Sequence, residues 1–496
     1  MVNLELEFES KKYPCLRWNL RDVQQQEQTL ELRLPEGMPD IGRILGAWGQ
    51  CIIRGKEWHS EEIGVSGGVM VWVLYLPAEG EEPQSLEAWL PLHPQWSLSG
   101  NRTEGTIRTC WKLKDADARM LSARKMMLRV NVEALAEALE PTEATLFTPG
   151  EVPENVHLLR REYPVTVPRE AGEKAFQIEQ SFSFPQGSPT PDQLIYCQLI
   201  PQVTEQKVVS SRVVFKGTGR CHLLYRGQDG GLHTWDTELS FSQFEDLEQT
   251  MSQDAQLSVM LALTSLEPEL QDGQLLLKAG LAAQYIAYDR QLVELVEDAY
   301  SPVRELTAHT EPVEMETLLD TSRRQVRPQV TLGGHRLVDT VVYTDHPRRE
   351  AGMQVLSGRV RCLIYDEEGK LESVNLPWQE QWDLEADGKV SSDTQVTLEN
   401  SPKISGNPGQ YWIAPELEVQ TQFVAPLDGT MVTGVSLGQL RTPDPNRPSL
   451  VLKRSGCATL WELAKANGST VEAICRANSI TTEPMEDRLL LIPGIV

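Results

Sequence analysis

The chain repeats itself, and this constrains its fold more than any local feature, because a block that recurs in order is one structural unit built more than once. Tyr13-Pro14, Leu32-Arg33-Leu34-Pro35-Glu36-Gly37 and Tyr75 are echoed by Tyr163-Pro164, Phe182-Ser183-Phe184-Pro185-Gln186-Gly187 and Tyr225, each pair 150 positions apart without a gap. A third copy starts near Glu311-Pro312-Val313. Its Arg359-Val360-Arg361-Cys362-Leu363-Ile364-Tyr365 matches Gly219-Arg220-Cys221-His222-Leu223-Leu224-Tyr225 after a step of 140. A second shared block follows each tyrosine: 90–98 in the first copy, 376–384 in the third and, more loosely, 239–247 in the second.

Within a copy the texture is β. Short runs rich in Val, Ile, Leu, Tyr and Trp, such as Val208-Val209-Ser210-Ser211-Arg212-Val213-Val214-Phe215, are punctuated by Gly, Pro, Asp and Asn. Tyr225-Arg226-Gly227-Gln228-Asp229-Gly230-Gly231 and Tyr365-Asp366-Glu367-Glu368-Gly369-Lys370 read as hairpin turns, since Gly accepts the positive φ of a tight connection. Several antiparallel strands per copy predict a β-sandwich. One helix is expected from Ala116 to Arg124, a run rich in Ala, Arg and Leu. The repeated tyrosines, with Trp96, Phe244 and Trp382, are expected in cores or packed on hairpins. Proline marks linkers at 140–160 and 440–449. The expected architecture is mainly β: three repeated β-sandwich-like domains, at 1–145, 155–300 and 305–442, followed by a small module at 449–496.

That module reads strand, helix, helix, strand. Leu450-Val451-Leu452-Lys453 is a short strand, and Thr459-Leu460-Trp461-Glu462 is a capping box at a helix start. Leu460, Leu463 and Ala464 form one buried stripe at helical spacing, and Gly468 suits a left-handed helix end. Ser469-Thr470-Val471-Glu472 reads as a second box, and Leu489-Leu490-Leu491-Ile492-Pro493 closes with a strand. Trp461 stands one position off the stripe, turned by about 100° around the helix, so its indole is expected to face partly outward, either as a partner anchor or packed over the module's own edge. With Leu460 beside it, Ile480 after the second helix and Ile495 beyond Pro493, it makes the candidate partner-binding patch.

Composition removes several alternatives. The 496 residues carry 46 Lys plus Arg against 71 Asp plus Glu, a net charge of −25, which repels nucleic acid phosphates and anionic lipid alike. The first eight residues place acid where a secretory signal needs base. The longest apolar run, 69–76, is far short of the roughly 20 residues of a membrane-spanning helix. Eight cysteines are scattered singly, as expected of reduced thiols in a cytosol. Cys221 and His222, adjacent in sequence, are expected on opposite faces of a strand. Neither a HExxH pair nor a nucleophile elbow nor a phosphate-binding glycine loop is present, so no metal, no cofactor and no enzymatic activity are expected.

The three repeats resemble the SPOCS domain of spore coat morphogenetic proteins of the SipL type. The residues concerned are the strand–turn units ending in Tyr75, Tyr225 and Tyr365, the Leu-x-aromatic blocks after them, and Pro39-Asp40-Ile41 and Pro191-Asp192-Gln193. The last module resembles a LysM domain through Thr459-Leu460-Trp461, Gly468, Asn478 and Leu490-Leu491-Ile492-Pro493. It departs from that pattern at Cys457-Ala458 and Glu486-Asp487-Arg488, in loops that flank the sugar groove of glycan-binding members. The combined resemblance implies a non-catalytic scaffold in the mother cell, held at the forespore surface by binding a SpoIVA-like coat morphogenetic ATPase through the LysM-like module. The alternative is a LysM-mediated peptidoglycan-binding or wall-processing protein.

Overall fold

The computed structural model describes the chain except residues 1–3, 81, 101–103, 367, 385–390, 401, 403, 408, 443–447, 457, 482–486 and 495–496. It is mainly β, with two short helices near the C-terminus. No helix among the described residues is long and apolar enough to cross a membrane.

One strand-pairing order occurs three times. In the first unit the strands are Phe8–Arg33, Ile41–His59, Glu62–Pro77, Gln84–Leu92, Thr106–Ser122 and Lys125–Pro149. The second, third and fourth pair in sequence, while the sixth lies between the first and the fifth. The same pairing holds for His157–Ser183, Pro191–Val209, Arg212–Gly227, Leu232–Asp246, Gln256–Gln271 and Gln274–Tyr300. It holds again for Glu316–Val326, Arg336–Thr344, Met353–Tyr365, Leu371–Asp383, Ser391–Asn400 and Glu416–Pro426. Tyr75, Tyr225 and Tyr365 each lie near the end of a third strand, opposite Ile44 and Gln84, Leu194 and His233, and Arg336 and Leu371 respectively. Residues Leu4–Leu6 pair with Thr430–Leu440 after the third unit, so the start of the chain is fastened to the last long strand of the β region.

Burial follows the strand period and then departs from it. Along Lys125–Pro149 side chains alternate inward and outward up to Asn131, after which Val132 and then Ala134 to Glu140 lie inside without alternation. Gln274–Tyr300 does the same from Ala279 to Asp289. Continuous burial means that both faces are covered, and here the cover comes from neighbouring units. Alanine recurs in both stretches and lets backbones approach closely. One apolar cluster spans the first two units and reaches Val341, Tyr343, Leu363 and Leu371 of the third. Another gathers Leu146, Val167, Leu295, Val313 and Met431 from all three.

A glycine in the middle of each third strand shows how tightly the sheets are packed. Gly67, Gly217 and Gly358 lie opposite Ile53, Val203 and Thr344, each beneath an aromatic ring, that of Trp111, Phe241 or Trp378. A Cβ at Gly217 would stand 2.2 Å from the Gln202 carbonyl oxygen and 2.3 Å from the Phe241 ring. Gly217→Ala is therefore expected to cost about 1–3 kcal/mol or more, the usual penalty of overpacking, while alanine at Gly230, where nothing lies within 4 Å, meets only the strain of its positive φ. Denaturant titration of both variants checks this.

Two expectations are corrected. Residues 116–122 are not helical: the Thr106–Ser122 strand runs through them, with Ala116 buried opposite Val130, because pairing with the adjacent strand overrides the helix-forming composition. The expected linker at 140–160 is strand as far as Pro149. Pro141 is tolerated because Lys125–Pro149 has lost its Thr106–Ser122 neighbour beyond Leu139 and is there an edge. Phe244 is packed on its hairpin rather than in the core: it is half exposed and lies under the guanidinium of Arg212 on the paired strand, 4.4 Å from the ring centre. The linker residues 443–447 lie outside the described residues.

Candidate functional site

The C-terminal module consists of strands Leu450–Arg454 and Leu489–Pro493 and helices Leu460–Asn467 and Val471–Asn478. Thr459 caps the first helix reciprocally with Glu462: the Glu462 N–H donates to Thr459 Oγ1 at 3.2 Å, and the Thr459 N–H donates to Glu462 Oε2 at 2.8 Å. Gly468 closes that helix at φ 56°. The second helix is capped by Thr470 rather than Ser469; its third residue is Ala473, so no reciprocal box forms.

Leu460, Leu463, Ala464, Ile474, Leu490 and Ile492 are buried together, and a seventh buried side chain, Tyr300, belongs to the last strand of the second β unit. The Tyr300 hydroxyl donates to the Ser469 carbonyl at 3.0 Å. Its ring meets the Trp461 indole edge-on at 4.7 Å and stacks on His157 at 5.3 Å. Trp461 Nε1 donates to Asp298 Oδ2 at 2.8 Å, and Lys465 Nζ reaches both oxygens of the same carboxylate at 2.7 Å. Burial, then the Glu472 and Asp298 carboxylates, push the Tyr300 phenol above its ordinary range, so it stays a neutral donor. The module is thus seated on the β region through a phenol, an indole and an ion pair.

The candidate patch is only partly a surface. Leu460 is in the module core, Trp461 is half-buried against the seat, and Ile480 is half-buried against the core cluster, its N–H donating to Cys475 O at 3.0 Å. Ile495 lies outside the described residues, as do Cys457 and Glu486. Asp487 is described: its carboxylate accepts from the Gly456 N–H at 2.9 Å and pairs with Arg454 at 3.1 Å, which holds its acid below the usual range. Sequence reasoning missed Asp298, Tyr300 and Lys465 as the counterparts of Trp461.

Two further polar centres lie between units. A cleft of about 720 Å³ opens where the three units meet, lined among others by Gln50, Lys112, Gln202, Val259, His346 and Thr394. Burial and then Lys112 hold the His346 imidazole down at about 3, so it is neutral; its Nε2 lies 3.1 Å from the Cys110 carbonyl, and the His346 backbone N–H donates to Glu133 Oε2 at 2.7 Å. Between the second and third units, His222 bridges Asp236 at 2.6 Å and Asp339 at 2.7 Å, and the Tyr196 hydroxyl donates to Asp339. Cys221 points the other way, its sulfur 3.4 Å from that of Cys197 in the core. Among the described residues no group of three or more His, Cys, Asp or Glu side chains is arranged to hold a metal ion. Neither the protein-family models, nor the curated proteins, nor the solved structures include a match to this chain.

Proposed function

We propose that this chain is a non-catalytic scaffold of endospore coat assembly, in which three SPOCS-like β-sandwich units carry a LysM-like module that captures a SpoIVA-like coat morphogenetic ATPase. The supporting observation is the threefold recurrence of one six-strand pairing order ahead of a strand–helix–helix–strand module with a half-buried Trp461. In this reading the chain works in the mother cell and reaches the forespore surface through its partner. The Asp298 and Tyr300 seat competes with the partner for Trp461, because one indole edge cannot pack on both.

The test is capture of the purified ATPase by the full chain. Trp461→Ala is expected to weaken capture about thirtyfold, the loss of roughly 2 kcal/mol typical of a central tryptophan anchor. Asp298→Ala, which frees both the indole and Lys465, is expected to strengthen it. Capture unchanged in both variants, or retention of the wild-type chain on purified peptidoglycan with no affinity for the ATPase, would overturn the reading.

A further inference from the structure

The module carries a second surface, on the side of its sheet turned away from the helices. Register places Leu450, Leu452 and Arg454 opposite Pro493, Leu491 and Leu489 on one face, and Val451 and Lys453 opposite Ile492 and Leu490 on the other. Ile492 and Leu490 are buried against the helices. The alternation therefore leaves Leu450, Leu452, Leu489 and Leu491 outward, at 50%, 59%, 55% and 36% exposure. Four clustered exposed leucines are an interaction feature rather than scattered surface residues.

The backbone of this sheet is closed at one edge and open at the other. The Ser455 N–H donates to Arg488 O and the Gly494 N–H to Ser449 O, both at 2.8 Å, which fixes the phase of the antiparallel ladder. Residues 449, 451, 453 and 455 turn their amides and carbonyls toward the partner strand, and Leu450, Leu452 and Arg454 turn theirs outward. On the other strand the outward groups of Leu491 are satisfied by one side chain: Asn478 Nδ2 donates to Leu491 O at 2.7 Å, and the Leu491 N–H donates to Asn478 Oδ1 at 2.8 Å. No strand among the described residues pairs with the outer side of Leu450–Arg454. An uncapped edge of this kind is a template for another strand.

We propose that the Leu450–Arg454 edge takes up an extended segment of a partner protein by antiparallel strand addition, and that this segment alternates apolar residues with carboxylates. Its apolar side chains extend the leucine face, and its carboxylates fall on the face of Lys453. Lys453 and Arg488 are exposed and form no ion pair among the described residues, whereas Arg454 is already paired with Asp487. Two exposed cations with no ion pair among the described residues, in a chain of net charge −25, select an acidic segment. A second copy of this chain fits less well: two four-leucine faces fall short of the roughly 1,200 Å² that stable interfaces bury, and both chains are strongly anionic. The edge does not involve Trp461, so it stands apart from the proposed ATPase patch.

The experiment measures fluorescence anisotropy of a labelled acetyl-Glu-Val-Glu-Val-Glu-Val-amide peptide titrated with the full chain. Saturable binding with Kd below about 1 mM is expected. In antiparallel pairing, residues opposite Leu450, Leu452 and Arg454 share their face, so the valine amides make the new hydrogen bonds. N-methylation of the valine amides is expected to weaken binding at least about tenfold, a loss of one good hydrogen bond or more, and N-methylation of the glutamate amides to leave it unchanged. Lys453→Glu and Leu452→Glu weaken it. No saturable binding, equal binding of the two methylated peptides, a loss confined to the glutamate-methylated one, or equal binding of a lysine-for-glutamate peptide overturns the proposal. The methylated peptides leave the protein untouched, so the result does not depend on a variant folding.

Discussion

Replacing Glu137 with alanine is expected to lower the free energy of unfolding by about 3–5 kcal/mol, the usual consequence of leaving a buried charge without its partner. Glu137 lies on Lys125–Pro149 where both faces are covered, and its side chain is fully buried. The two flanking strands bring an arginine to it from either side, Arg21 and Arg108 both standing directly opposite in register. Arg21 Nε donates to Oε1 at 2.8 Å, and Arg108 Nη1 lies 3.3 Å from Oε2. Burial pushes the Glu137 carboxyl up, but Arg21 and Arg108 outweigh it and hold it below its ordinary value. Arg108 is also fully buried, and none of its nitrogens makes a hydrogen bond among the described residues, so Glu137 is its electrostatic counterweight. The double variant Arg108→Met/Glu137→Leu is expected to recover most of the loss, since an apolar pair has no charge to compensate. Urea unfolding of the single and double variants decides it. A Glu137→Ala cost within about 1 kcal/mol, the range of an exposed ion pair, would contradict this account.

The β texture of the chain is legible because alternation and turn residues are local signals, and the module's first helix is legible because Thr459, Glu462 and Gly468 act within one turn of its ends. Composition misled at 116–122, where alanine serves close strand packing rather than a helix. The seat of the module has no local signature: Asp298 and Trp461 are 163 positions apart, and nothing in Glu297-Asp298-Ala299-Tyr300 marks a docking site. The second cap falls on Thr470, whose Oγ1 accepts from the Ala473 N–H, one residue after Ser469; both are capping types and both are buried, so nothing in the pair itself marks which one caps. Leu489-Leu490-Leu491 reads as a closing strand, and the pleat turns its two outer leucines to solvent. Arg108 and Glu137 look like ordinary surface charges until the neighbouring unit closes over them.

Stability is expected to fall as pH rises from 6.5 toward 10, and His222 is the cause. Its imidazole stands on the second unit between Asp236, half exposed, and Asp339, a fully buried residue of the third. Burial pulls the imidazole down, but Asp339 and then Asp236 outweigh it and push it up to about 10, from an ordinary 6.5. Below pH 6.5 the group is protonated both folded and unfolded, and its full stabilisation is present. Between 6.5 and 10 the unfolded chain has released the proton while the folded chain keeps it, so each pH unit removes roughly 1.4 kcal/mol. Above 10 the contribution is gone. Asp339 concentrates the effect, since it also accepts from Tyr196, whose ring stacks on Trp48 of the first unit at 5.2 Å; the junction joins all three units. His222→Gln keeps a neutral donor in place but has no proton to lose. Its unfolding free energy is expected to lie below wild type at pH 6 and to show a flatter profile from 6.5 to 10, the two curves converging at the alkaline end. Parallel wild-type and His222→Gln curves across that window would show that the imidazolium does not hold the second and third units together.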